Sequence, residues 1–240
     1  EIMPSLVGSE MCIRDRSSGS VSYIKPGSGI GGGDINGNAV AGKKSLPIYC
    51  VKHDDSEKCI SISFDAAWGA DDTIEILNTL DKYNVKATFF LIGENAENTP
   101  ELVKRESEEG HLVGNHTYHH VEITRVPDET AKEEILMTNE VITGITGEEV
   151  SYMRPPFGAW QKKLEWELDV MPVMWTIDPL DWTTNNEDEI VNKVVTQAKE
   201  NDIILLHDCY ESSVNAALRI VDILQKEGFE FVTVDELIMN

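Results

Sequence analysis

The spacing of apolar positions changes twice between residues 60 and 93. Ile60-Ser61-Ile62-Ser63-Phe64 alternates apolar and polar, which predicts a strand that delivers Asp65 at its end. Asp71-Asp72-Thr73 then supply N-cap chemistry for an amphipathic helix, with Ile74, Leu77 and Leu80 expected on its buried face. Ala87 to Ile92 is apolar throughout and reads as a second, buried strand. The stretch is therefore one βα unit running into the next strand.

The same alternation continues downstream. Thr99-Pro100-Glu101 opens a helix that runs to Gly110, and a strand over His111–Gly114 follows. A polar loop from His116 to Asp128 leads into a helix through Ile135, Leu136 and Val141. Strand-like pieces recur at Ser151–Met153, Val173–Ile177 and Ile203–Leu206, and helix Val214–Lys226 precedes a last strand at Phe229–Val232. Strands alternating with helices predict an α/β fold, either a barrel or a doubly wound sheet.

The first 44 residues do not share this pattern. Glu10-Met11-Cys12-Ile13-Arg14-Asp15-Arg16 can be encoded by a sequence that resembles a transposase adapter used in DNA library preparation. Residues 1–16 are accordingly expected to be an assembly artefact in which Cys12 has no meaning, with a genuine N-terminus and any signal or anchor lost. Residues 17–44 are rich in Gly and Ser and read as a linker. Leu46–Val51 reads as a short strand and His53–Ser56 as a turn, so residues 45–240 are taken as one domain.

Charge removes some partners. Twenty basic residues against 43 acidic ones give a net charge of −23, which argues against nucleic acid and anionic lipid. No apolar run approaches the roughly 18 residues a membrane-spanning helix needs. The cysteines Cys12, Cys50, Cys59 and Cys209 show no CxxC pair and no zinc-finger spacing. Cys50 and Cys59 could bridge in an oxidising compartment, and free thiols are the simpler expectation.

The candidate chemistry lies in the polar residues that follow apolar strands: Asp65, His116, Arg154, Asp178, Asp181 and His207. Strand C-termini converge on one face of such folds, so these groups can meet in space. His116 and His120 stand four residues apart, a spacing that on one helical turn presents two imidazoles to one metal. Thr117 after the first histidine excludes the HExxH protease pattern. Taken singly, each motif has a plainer structural explanation: solvent-facing histidines, a proline-rich turn at Arg154-Pro155-Pro156-Phe157, an Asp-Pro turn beside Trp182, a structural His207. The ordered set is what carries the chemistry.

In order, Phe64-Asp65, His116-Thr117-Tyr118-His119-His120, Arg154-Pro155-Pro156-Phe157, Asp178-Pro179-Leu180-Asp181-Trp182 and Ile203-Ile204-Leu205-Leu206-His207 resemble the five motifs of polysaccharide deacetylases. These form carbohydrate esterase family four, with a distorted (β/α) barrel of the NodB-homology type, and the resemblance covers Leu46 to the C-terminus. It implies that Asp65 is the base that deprotonates an attacking water and His207 the acid that protonates the leaving amine. Arg154 would orient Asp65, Asp181 would tune His207, and His116 and His120 would hold a divalent metal, zinc by preference. Phe157 would help hold the oxyanion through its N–H, Trp182 would wall the substrate groove, and Leu205 would floor an acetyl pocket. The implied substrate is an amino-sugar glycan such as peptidoglycan or chitin, met outside the cell or in its envelope, by a protein expected to be monomeric.

One position departs from the family pattern F-D-D-G, whose second Asp is a metal ligand. This chain reads Phe64-Asp65-Ala66-Ala67-Trp68-Gly69, so Ala66 fills the ligand position, in a form that resembles a subgroup with F-D-x-x-W-G. Asp71 or Asp72 could substitute only by giving up a capping role, and Asp65 only by giving up its role as base. The resemblance thus leaves two expectations: a de-N-acetylase with a weakened metal site, or a glycan-binding descendant without turnover. A further alternative, hydrolysis of a non-sugar amide, uses the same groups.

Overall fold

The computed structural model describes residues 58–66, 70–160, 168 and 170–239, together with residues 13–14 and 21–22. The chain forms two compact units, Glu1–Ala41 and Gly42–Asn240. In the first, Ile13–Arg14 pairs antiparallel with Val21–Ser22, across the boundary expected between artefact and linker. The strand expected at Leu46–Val51 and a pairing of Cys50 with Cys59 lie outside the described residues; Cys59 itself is buried.

The second unit runs β1 (Lys58–Ala66), α1 (Ala70–Tyr83), β2 (Thr88–Leu91), α2 (Gly93–Asn98), α3 (Pro100–Glu108), β3 (Leu112–Asn115) and α4 (Asp128–Thr146). It continues through β4 (Tyr152–Met153), β5 (Met171–Pro172), α5 (Glu187–Val195), β6 (Ile203–His207), α6 (Glu211–Lys226), β7 (Phe229–Phe231) and α7 (Val234–Met239). The strand order is β5-β4-β3-β2-β1-β6, with β7 on the first residues of β1, and every pair is parallel. This is the expected α/β class, a curled parallel half-barrel of the (β/α) type. Among the described residues no helix is long and apolar enough to cross a membrane.

Both faces of the sheet are covered, as a parallel sheet requires. Adjacent residues Phe89 and Phe90 of β2 show the division, since successive side chains on a strand point to opposite faces. Phe89 stacks on Phe64 at 5.2 Å between ring centroids, in the cluster under α1, α5 and α6 that includes Leu77, Ile190 and Ile220. Phe90 enters the second cluster with Val173, Ile203, Val234 and Leu237, where α7 packs. A third cluster of Ile123, Ala131, Ile135, Met153 and Val170 supports the loop after β3.

Several local expectations change. Ile74 is 38% exposed, and Ile76 takes its place with Leu77 and Leu80. The inward stripe of α1 is 73, 76, 77 and 80, because Thr73 turns in to donate to Asp208 Oδ2 at 2.7 Å. The helix begins at Ala70, so Asp71 and Asp72 lie in its first turn and do not precede it. Leu136 is exposed too. Of the strand expected at Val173–Ile177, only Val173 and Ile177 make bridges, Ile177 to Ile204, because β5 ends at Pro172 and the chain then crosses toward β6. Helices α2, α5 and α7 have no counterpart in the sequence pattern.

His111, expected as the first residue of a strand, instead precedes β3 as a buried histidine. Its Nδ1 accepts the Ala87 N–H at 3.1 Å, and its ring meets the Phe89 edge at 5.4 Å. Burial first, then the charges of Lys86 and Arg105, pull its pKa from 6.5 to about 4, so the folded form holds it neutral. Below the unfolded value the unfolded chain takes up a proton that the folded chain refuses. The contribution of His111 to stability is therefore complete above pH 6.5 and is lost as the pH falls to about 4, about 3.5 kcal/mol at about 1.4 kcal/mol per unit. Urea unfolding of the wild type and His111→Asn across this window should show a flatter acid slope in the variant. Parallel slopes would assign the acid lability to other groups.

Candidate active site

Strand β1 sorts its side chains by parity: Ile60, Ile62 and Phe64 face the helices, while Ser61, Ser63 and Asp65 face inward. The inward file meets Arg154, which follows β4 and has no solvent exposure. Arg154 Nη1 donates to Asp65 Oδ1 at 2.8 Å, and Nη2 donates to Ser63 Oγ at 2.9 Å. The Ser63 hydroxyl proton is directed to Ile204 O at 2.6 Å, leaving its oxygen free to accept. The guanidinium lies 4.3 Å from the centroid of the Phe90 ring and 5.7 Å from that of Trp175. Gly114 permits this layer, because a Cβ there would come within 2.6 Å of Phe90. Burial would raise the Asp65 pKa, but His116, Arg154 and His207 outweigh it and hold the carboxyl below its ordinary value.

His116 enters directly from β3. Its Nδ1–H donates to the Arg154 carbonyl at 2.7 Å, which fixes the tautomer and leaves the Nε2 lone pair 3.6 Å from Asp65 Oδ2. Burial, partly offset by Asp65 and reinforced by His120, lowers the His116 pKa to about 4. The His120 ring lies 4.9 Å from that of His116 and 4.8 Å from that of Phe157. The two histidines meet, but not on a helical turn. Thr117 and His120 have φ of 62° and 54°, left-handed values that break any helix. Asn115 Oδ1 accepts the Thr117 N–H at 2.7 Å, while Asn115 Nδ2 donates to Ile135 O and Asn139 Oδ1.

The third part sits on β6 and the turn before α5. Buried Asp181 grips His207 twice, accepting its backbone N–H through Oδ2 at 2.8 Å and its ring Nδ1–H through Oδ1 at 2.9 Å. Burial lowers the His207 pKa, yet the hydrogen bond and charge of Asp181, with Asp65 and Asp178, prevail and raise it. Asp178 accepts the Leu180 N–H at 2.8 Å, and burial lifts its own pKa. Leu205, 3% exposed, lies two residues before His207 on the same face of β6. Phe157 and Trp182 stand at the rim, 68% and 54% exposed. Asn115 belongs to the Gly-Asn pair before His116 that also matches the family's histidine motif; Ser63 and Glu134 are additions of the structure, and of these only Ser63 carries a sequence signal, its parity with Asp65.

The donor chemistry suits a divalent ion bound by imidazole nitrogen. His116 is neutral with its lone pair directed into the cleft, His120 is also shifted toward neutrality, first by burial, and an outer hydrogen bond orients His116. Ala66 is buried in the apolar cluster under the helices. Among the described residues no group of three His, Cys, Asp or Glu gathers into a metal cage. The groups on offer to an ion are therefore the two imidazoles, with Asp65 Oδ2 3.6 Å from His116 Nε2.

A family model described as polysaccharide deacetylase matches residues 52–173. Peptidoglycan-N-acetylglucosamine deacetylase PgdA of Listeria monocytogenes is 36% identical over 182 residues, which cover 76% of this chain and 39% of that protein. The chain thus spans about two fifths of that relative's length. The structure of peptidoglycan deacetylase PdaC from Bacillus subtilis aligns with a TM-score of 0.73 at 35% identity, over 76% of this chain and 90% of that one. BA3943 of Bacillus anthracis, described as a CE4 family pseudoenzyme, aligns with a TM-score of 0.74 at 27% identity, over 80% and 69% of the two chains.

Proposed function

Because the chain belongs to the polysaccharide deacetylase family, we propose that it removes N-acetyl groups from an amino-sugar polymer, peptidoglycan or chitin-like, in the cell envelope or outside the cell. One observation carries this reading: Asp65 and His207 are register partners on neighbouring strands, each gripped from behind by its own buried counter-charge. A base and an acid side by side, biased in opposite directions, suit amide hydrolysis.

Each residue then has a task. Asp65, held at Oδ1 by Arg154, keeps Oδ2 to take a proton from the attacking water. His207, with Nδ1–H committed to Asp181, presents Nε2 to the departing amine. Leu205 floors the space for the acetyl methyl, Phe157 offers its backbone N–H to the oxyanion, and Trp182 walls the sugar groove. A divalent ion on His116 and His120, zinc by ligand preference, would polarise the amide carbonyl and acidify the water.

A second reading is favoured by Ala66. With an apolar side chain where the family places a carboxylate ligand, the protein would bind glycan and turn it over poorly or not at all. Acetate release from N-acetylglucosamine oligomers, with and without zinc and chelator, separates the two. Chelator-sensitive release by the wild type supports the hydrolase. Release only from Ala66→Asp supports the impaired reading, and oligomer binding with no release from either form sinks the hydrolase. Ala66→Asp should bind zinc about tenfold more tightly or better, a gain of about 1.4 kcal/mol. Its metal-free form should be less stable than wild type, since the new carboxylate enters an apolar cluster.

A further inference from the structure

Between the two candidate ligands of the loop stands His119, whose ring turns away from them. Its backbone N–H donates to Glu134 Oε2 at 2.8 Å, and its ring Nδ1–H donates to Glu134 Oε1 at 2.7 Å. This repeats the two-point grip of Asp181 on His207. Glu134 is 7% exposed and lies on the inward side of α4, beside buried Ala131, Ile135 and Thr138. A carboxylate is costly at such a position unless both oxygens are engaged, and here both are.

The loop needs an anchor at this point. Left-handed backbone at Thr117 and His120 strains non-glycine residues and persists only where surroundings impose it. Asn115 fixes Thr117, and Thr117 Oγ1 accepts the Val121 N–H at 3.1 Å. Those bonds secure positions 117 and 121. The residue directly before His120 is held by Glu134, and its ring also rests edge-on against Tyr118 at 4.7 Å.

We propose that Glu134, acting through His119, is a positioning residue that sets where the His120 imidazole stands and so tunes the affinity and geometry of the metal site. The inference rests on His116 and His120 being ligands. It assigns a task to the one histidine of the loop that faces away from the cleft.

The test is a Co²⁺ titration of the full chain, read by the visible d–d bands, with the melting temperature of the metal-free protein measured in parallel. Variants are Glu134→Ala, Glu134→Gln and His119→Ala. Glu134→Ala should weaken Co²⁺ binding tenfold or more and alter the spectrum, the usual scale for residues that orient a ligand. Glu134→Gln keeps an acceptor for the backbone N–H and should fall between it and wild type; it carries the test if Glu134→Ala does not fold. His119→Ala, which deletes only the half-exposed ring, should show the smallest loss. Wild-type affinity and spectrum in both Glu134 variants would overturn the proposal, whatever the melting temperatures, and leave the ligand assignment standing. A wild type that binds no Co²⁺ would overturn both.

Discussion

His207→Ala should lower kcat for acetate release by about 100- to 10,000-fold, the usual worth of a positioned general acid, while leaving oligomer binding nearly unchanged. The reason is geometric. Asp181 takes the backbone N–H and the ring Nδ1–H of His207, so Nε2 is the nitrogen left to deliver a proton. The sign of the pH effect follows from the same contacts. A general acid must be protonated, and His207 has its pKa raised, so the wild type keeps its active form to higher pH. Asp181→Asn removes the stabilising charge and should move the alkaline limb of kcat to lower pH. Rates with oligomers and calorimetric binding give both readouts. Loss of binding in step with loss of rate would make His207 a substrate contact and remove it as the acid.

The residues proposed as acid and base stand out in the sequence because each lies at or near the end of an apolar strand. Asp65 stands one residue before the end of β1, His116 follows β3 and His207 closes β6, and parallel pairing brings such ends together. Arg154 follows β4 in the same way. What could not be read locally depends on distant residues. The spacing of His116 and His120 fits a helical turn, and only the bonds from Asn115 and Glu134 show why the backbone is left-handed there. The buried face of α1 was assigned to Ile74 where Ile76 serves, because the partner that draws Thr73 inward is Asp208, 135 residues away. The strand expected through Val173–Ile177 has the right residues, but Thr176 and Ile177 spend their N–H groups on Ile203 O in a crossing segment. Periodicity reports which residues want burial; it does not report which distant group takes them.

Arg154→Met should cost about 3–5 kcal/mol of folding stability, as removal of one partner from a buried ion pair commonly does. The guanidinium is fully buried, so its own desolvation is offset by Asp65, by Ser63 and by the Phe90 and Trp175 rings. Methionine fills part of the volume but leaves Asp65 as a buried carboxylate without its principal cation. With Arg154 gone, burial is opposed only by the histidines, so the Asp65 pKa should rise, and the carboxylate loses the fork that aims its Oδ2 at the attacking water. Lysine should not rescue, since one ammonium cannot reproduce the fork to Asp65 and Ser63 or lie flat on Phe90. The double variant Arg154→Met with Asp65→Asn isolates the charge effect. If unpaired charge is the cause, the double variant should be more stable than Arg154→Met alone in urea unfolding, a coupling between neighbours that additivity does not predict. A double variant as unstable as the sum of its parts would place the cost in lost packing, and Arg154 would then be a wall of the core before it is an orienter of Asp65.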